Sequence, residues 1–305
     1  MTATANPSTP TLINWAEVVG LGVVFGASFL SVHVALAGFA PLWVAAGRIV
    51  IGALMLALLC GALHLPLPSL RAGRKVWLHA LGMAVFSNVL PFSAIAWAQQ
   101  HVQSSFVGVS MALVPLFTLV LAHFSLPGER LTLPRIGGFA LGLVGVVVLL
   151  GTDGLHLGSG NLDLIARLAC VGSTVSYALG SIITRRSPPA DPVAFSTLSL
   201  LLAAALIVPV ALLADGMPQA LPPLRPALAL LYLGLMPTAL ATLIIVHVIR
   251  TAGPTFLTQT NYQVPVWSVL FGTLLLAESL PPQFLIALAL ILAGLAVSRI
   301  GQRRR

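Results

Sequence analysis

At 305 residues, 58% hydrophobic and only 7% charged, the chain lacks the polar surface of a soluble globular protein, which carries roughly 25% charged residues. Its formal charge of +8 would point to nucleic acid in a soluble domain, but here the cations sit in short gaps between apolar runs. Composition therefore excludes a two-domain soluble protein and points to a chain that lives mostly in lipid.

The first segment, Met1 to Asn14, is polar, rich in Thr and Pro, and lacks a basic n-region. No cleaved signal peptide is expected there, so the first apolar run stays in the protein. A spanning helix needs roughly 20 apolar residues. Ten runs qualify in chain order: Trp15–Leu36, Pro41–Leu63, Trp77–Ala98, Gln103–Phe124, Pro134–Leu150, Leu162–Thr184, Pro192–Ala214, Pro226–Ile249, Thr255–Ala277 and Pro282–Arg299. Proline opens many of them, where its missing N–H costs nothing. The connections (64–75, 151–161, 185–191) are short, and none could hold a folded soluble domain. The expected layout is an all-α membrane protein: a cytoplasmic tail over 1–14, a five-helix unit over 15–151, a second over 162–299, and a basic cytoplasmic tail over 300–305.

Orientation follows from the Lys/Arg bias of the gaps. Placing the N-terminus in the cytoplasm puts Arg71, Arg74, Lys75, Arg130, Arg135, Arg185, Arg186, Arg250, Arg299, Arg303, Arg304 and Arg305 inside, twelve of the fifteen cations. Only Arg167 and Arg225 fall outside, beside Asp153, Asp163, Asp215 and Glu278, while Arg48 lies within the second run. Both termini are therefore expected in the cytoplasm.

The two halves repeat. Leu113-Val114-Pro115 matches Gln263-Val264-Pro265, Glu129 and Leu131 match Glu278 and Leu280, Gly145 matches Gly294, and Phe106 matches Phe256; Pro41 and Pro192 open corresponding helices. One such match would be chance in so apolar a chain, whereas a collinear series is a repeat. Five helices per unit is an odd number, so the second unit inserts upside down. Inverted repeats are a common construction in secondary transporters.

Helix 4 with its loop ending Pro-Gly-Glu-Arg, and helix 9 with its loop to Glu278, resemble the two EamA-type repeats of the drug/metabolite transporter superfamily. The matching features are Pro115 and Pro265, Glu129 and Glu278, and Gly138, Gly142, Gly145 and Gly294. The overall look is similar to the ten-helix branch exporting aromatic and other neutral amino acids. The resemblance implies a bacterial inner-membrane exporter with a central cavity worked by alternating access. It also implies that a cation in helix 2 lines that cavity, the place held by Arg48; the second repeat has Ser199 there instead.

Polar groups at membrane depth are expensive, which makes each a candidate. Arg48 reads either as a cavity cation for a substrate carboxylate or as a stem snorkelling to lipid phosphate. In helix 9, Gln259, Tyr262 and Gln263 share a face by i, i+3, i+4 spacing, facing a cavity or bonding a neighbouring helix. Asn88 and Tyr177 are weaker cavity candidates; Ser173 and Ser176 more naturally bond back to their own helix. Trp97 is a gate or an interface anchor, and His79 a titrating group or a bland interfacial one. Pro115 and Pro265 are hinges or fixed kinks. Gly22 with Gly26, and Gly138 with Gly142, read as helix packing.

No Asp or Glu lies deep in a helix, so proton coupling through carboxylates is not expected. The buried-run cysteines, Cys60 and Cys170, lack metal or redox spacing, and no cofactor or metal is expected. The expected partners are the bilayer and a small-molecule substrate, not nucleic acid, and the protein is expected to act as a monomer. An intramembrane serine hydrolase, suggested by Gly26-Ala27-Ser28 and Gly108-Val109-Ser110, lacks the following glycine of a nucleophile elbow. Within transport, the alternative is export of a drug-like cation or another metabolite, although no buried carboxylate is available to pair with a cation. A channel or scramblase would be separated by the absence of saturable counterflow.

Overall fold

The computed structural model describes residues 10–69, 72–126, 129, 131–151, 162–218 and 221–300. The predicted tails beyond those limits, together with Arg71, Arg130, Asp153 and the side chain of Arg299, lie outside the described residues. All regular structure among the described residues is helical. Eight helices are long and apolar enough to span a membrane. They are α1 (Leu12–Leu36), α2 (Pro41–Ala62), α3 (Arg74–Ala98), α4 (Ser104–Ser125), α5 (Leu133–Leu150), α6 (Leu162–Arg185), α7 (Pro192–Asp215) and α8 (Leu224–Ala252). Two more complete the bundle, α9 (Thr260–Leu276, 17 residues) and α10 (Pro282–Ile300, 19 residues). Exposed side chains such as Leu58, Val147, Leu213 and Leu274 present the apolar outer face that lipid requires.

Alternation sorts the contacts into two ends. At one end, called here the Glu17 end, Trp15 meets Phe256 edge-on at 4.9 Å, Asn14 bonds Thr251 at 2.8 Å, and His247 reaches Glu17 at 2.6 Å. Arg250 pairs there with Asp191 and Arg135 with Glu129. At the opposite end, the Glu278 end, the Trp43 indole donates to Gly216 O at 2.8 Å, and the Glu278 carboxylate meets the start of α4. The cations Arg74, Lys75, Arg135, Arg185 and Arg250 gather at the Glu17 end, as the charge bias anticipates, and Arg225 and Arg167 lie at the other.

The packing is that of an internal two-fold. Under an exchange of α1–α5 for α6–α10, the pairs α2–α7, α4–α9 and α5–α10 map onto themselves. The pair α1–α9 maps onto α6–α4, and α1–α8 onto α6–α3; all of these pairs are in contact. Glycine makes the tightest of them possible. A Cβ on Gly138 would lie 2.4 Å from Gly294 O, and one on Gly294 would lie 2.5 Å from Gly138 O, so α5 and α10 touch backbone to backbone. Gly26 likewise lets α1 approach Trp267 of α9. The predicted small-residue pairs are thus intramolecular packing. The fold is an all-α membrane bundle of ten helices in two inverted five-helix repeats.

The symmetry extends to defects. Six residues of α3, Ala84–Val89, and six of α8, Leu235–Leu240, are π-helical, and the two segments stand 151 positions apart (84 to 235). Such wide turns are rare and frequent at functional sites. The helix boundaries otherwise follow the apolar runs, except in α9, predicted to start at Thr255. Only one turn, Pro254–Leu257, forms there before the helix restarts at Thr260. Between them the chain tightens into i→i+3 turns, with Gln259 N bonding Phe256 O at 3.0 Å and Asn261 N bonding Thr258 O at 3.2 Å.

Candidate functional site

One π segment is followed by Pro91 and the other contains Pro237, and a proline leaves a carbonyl without its ladder donor. In α3 the backbone N–H of Leu90 bonds Val85 O, so the next carbonyl in that register, Phe86 O, would wait on Pro91. The Ser176 hydroxyl of α6 supplies the donor instead, at 2.9 Å. In α8 Pro237 cannot serve Leu233 O, and the neighbouring Thr238 hydroxyl donates to it at 2.8 Å. A hydroxyl that donates once can still accept. The break at Pro237 therefore both demands Thr238 and leaves its Oγ1 as an acceptor facing α2.

That acceptor is taken by Arg48. Its Nε donates to Thr238 Oγ1 at 3.0 Å, and its Cζ lies 3.8 Å from the centroid of the Phe92 ring. Gly52, one turn further along α2, has no room for a Cβ, which would fall 2.5 Å from Thr238 Cγ2. The guanidinium is thus fixed between α2, α3 and α8, within electrostatic reach of Tyr177 and Tyr232. Tyr177 packs against Phe92 with ring centroids 6.3 Å apart, and the Tyr232 hydroxyl donates to Val24 O of α1 at 3.2 Å. Four helices from both repeats, α2, α3, α6 and α8, converge on one cation, and Tyr232 ties α1 to them.

Energetics describe what is left over. An Arg at a helix centre costs about 2.5–3.5 kcal/mol on the permissive insertion scale. One interhelical hydrogen bond returns about 0.6 kcal/mol and a desolvated cation–π contact about 2. These contacts offset most of the cost of placing the group, yet none cancels its charge. Among the described residues no carboxylate pairs with Arg48, and its two Nη groups, the fork that binds carboxylates side by side, have no hydrogen-bond partner. The arrangement can accept an anionic oxygen pair.

The other predicted residues scatter. Asn88 is buried, its Nδ2 donating to Met83 O of its own helix at 3.2 Å. His79 lies in the first turns of α3 with Nδ1 2.7 Å from Lys75 O, far along the helix from Phe92. Trp97 stacks at a tilt on His101, centroids 5.2 Å apart, towards the Glu278 end. Gln259 falls in the turn before α9, so the expected face of Gln259, Tyr262 and Gln263 is not continuous. The Tyr262 hydroxyl turns to Leu295 O of α10 at 3.4 Å, whereas Gln263 lies against Gly22 of α1. Pro115 follows a 3₁₀ turn at Met111–Leu113, while Pro265 sits inside a continuous α9. Ser28 and Ser110 bond back to Phe25 O and Phe106 O, and the glycines before them serve packing against Trp267 and Ser268.

Phe92, Thr238 and Tyr232 were not singled out in the sequence. The available signal was Pro91 and Pro237 in the middle of apolar runs, each requiring a side-chain donor nearby. A separate pocket of about 370 Å³ opens at the Glu278 end among His101, Gln103, Asp163, Arg167 and Gln283. Its cation is already engaged, by Asp163 at 2.7 Å and by Leu150 O at 2.7 Å, which distinguishes it from Arg48.

The fold defines a multi-pass membrane protein built from two inverted repeats, a construction common in secondary transporters. Residues 14–151 and 164–300 each match the EamA-like transporter family, and the chain belongs to that family. It is 29% identical over 290 residues to the uncharacterized inner membrane transporter YedA of Escherichia coli K12, covering 94% of this chain and 91% of that one. It is 30% identical over 239 residues to the aromatic amino acid exporter YddG of Ancylobacter novellus, covering 77% of this chain and 79% of that one. A crystal structure with 24% sequence identity aligns at a TM-score of 0.66 over 98% of this chain and 100% of its own. At that identity the likeness speaks for the fold.

Proposed function

We propose that this protein is a secondary transporter, not an enzyme, that exports small carboxylate-bearing metabolites, foremost aromatic and neutral amino acids, across the bacterial inner membrane. The two units, 15–151 and 162–299, rock about the Arg48 cluster and expose it to each side in turn. The carrying observation is the unpaired Nη fork of Arg48, positioned by Thr238 and Phe92. Its planar donors match a carboxylate, and the neighbouring rings of Phe92, Tyr177 and Tyr232 suit an apolar or aromatic side chain. Similarity to an aromatic amino acid exporter supports the same substrate class. The charge bias supports both termini in the cytoplasm, with the protein acting as a monomer.

The test is efflux from proteoliposomes loaded with a panel of labelled amino acids, with and without a pH gradient. Saturable efflux and counterflow of aromatic or neutral amino acids are expected. Movement of organic cations, sugars or dyes with no amino acid moving would contradict the substrate class, and non-saturable flux would contradict a carrier.

A further inference from the structure

The first turn of a helix leaves backbone N–H groups without helical partners, here those of Ser104 and Ser105 of α4, and the N-cap Gln103 offers no side-chain bond. A group from the other repeat fills the place. Glu278 Oε1 accepts from the Ser104 backbone N–H at 2.8 Å and from its hydroxyl at 2.7 Å. Oε2 accepts from the Ser105 backbone N–H at 3.1 Å and from the Ser105 hydroxyl. Both carboxylate oxygens are engaged, at the positive end of a helix dipole.

Several otherwise unexplained residues serve this contact. Ala277 takes a left-handed conformation, φ 53, and Glu278 N folds back onto Gly272 O at 3.0 Å. A Cβ on Gly272 would come within 2.3 Å of the carboxylate, so only glycine leaves room for it. One turn deeper, Ser268 Oγ of α9 donates to Ser104 O at 3.3 Å, and Gly108 admits Ser268 where a side chain would collide.

Among the described residues the opposite end has no such contact. There the repeat partner of Glu278 is Glu129, which pairs with Arg135 of its own repeat at 3.2 Å. The positions matching Ser104, Ser105 and Gly272 are Pro254, Thr255 and Ala122: a residue with no N–H, an exposed threonine, and a side chain where the carboxylate would have to lie. Accordingly α9 packs along Ser104–Leu113 of α4, and its main contacts do not extend to Val114–Ser125. The two helices are strapped at the Glu278 end and part towards the other.

We infer that Glu278 is a one-sided latch: it holds the Glu278 end closed between turnovers, and must release Ser104 and Ser105 for that end to open. The inference rests on the alternating-access reading above and adds that the cycle is asymmetric.

The test uses full-length protein carrying Cys60→Ala and Cys170→Ala, with spin labels at Gln100 and Gln283 to report the Glu278 end. A second pair at Phe124 and Thr255 reports the opposite end. In the parent a short distance should dominate at the Glu278 end. Glu278→Gln should raise the long-distance fraction there about tenfold, the scale of losing hydrogen bonds to a charged group, while Glu129→Gln should leave it unchanged. Ser104→Ala with Ser105→Ala retains the backbone donors and should shift the fraction the same way, about threefold. If Glu278→Gln does not yield folded protein, the serine pair decides. Distances unchanged by these substitutions would overturn the latch, as would an equal response to Glu129→Gln. Saturable counterflow by the parent is measured alongside. Its presence with unchanged distances removes the latch alone, and its absence removes the transport reading itself.

Discussion

Arg48 and Ser199 occupy matched places in the two repeats, 151 residues apart, and each strut does the same mechanical work. Ser199, fully buried, donates from α7 to Ala80 O of α3 at 3.1 Å. Arg48 donates from α2 to Thr238 of α8 at 3.0 Å. The first contact is neutral and complete. The second brings a charge to membrane depth, uses one of its donors, and leaves the fork open. Two-fold symmetry thus explains the scaffold, and the departure from symmetry falls at the proposed ligand site.

Replacing the asymmetric member should have the largest effect. Arg48→Ala is expected to lower amino-acid efflux in proteoliposomes about 100-fold, the scale of a lost charge-assisted pair, with the amount of inserted protein unchanged. Arg48→Lys should recover only part of it, because an ammonium lacks the planar fork. Thr238→Val removes the acceptor for Nε and leaves Leu233 O without its substitute donor. About a tenfold loss is expected, mostly in the apparent KM for substrate. Phe92→Leu removes the cation–π face and should cost about fivefold, read in the same assay. Ser199→Ala is the sharpest control. Ala80 O keeps the backbone N–H of Ala84, and the lost interhelical bond is worth about 0.6 kcal/mol. A small drop in Tm is expected, with transport within about twofold of the parent. A Ser199→Ala defect as large as that of Thr238→Val would erase the proposed distinction between the struts.

The spans, the repeat and Arg48 were legible because composition, length and charge bias act locally along the chain. Gly138 and Gly142 could be read as packing residues, although not which helices they join. The partners of Arg48 were hidden for a different reason. Thr238 looks like any membrane threonine until Pro237 removes the donor for Leu233 O and the helix widens by a residue. Gln259, Tyr262 and Gln263 looked like one helical face because spacing alone assumes a regular helix, and the tight turns at Thr258 and Gln259 remove that assumption. Glu278 was legible as a repeat marker but not as a cap, since Ser104 is distant in sequence and meets it only when the repeats pack.

The most direct test compares substrates rather than variants alone. Counterflow of a labelled aromatic amino acid is competed by the unlabelled amino acid and by its carboxamide, in the parent and in Arg48→Ala. The parent should favour the carboxylate over the carboxamide by about tenfold or more, and the variant should bind both equally weakly. A parent that does not discriminate, or a variant that discriminates as the parent does, would show that Arg48 is not the group that reads the substrate.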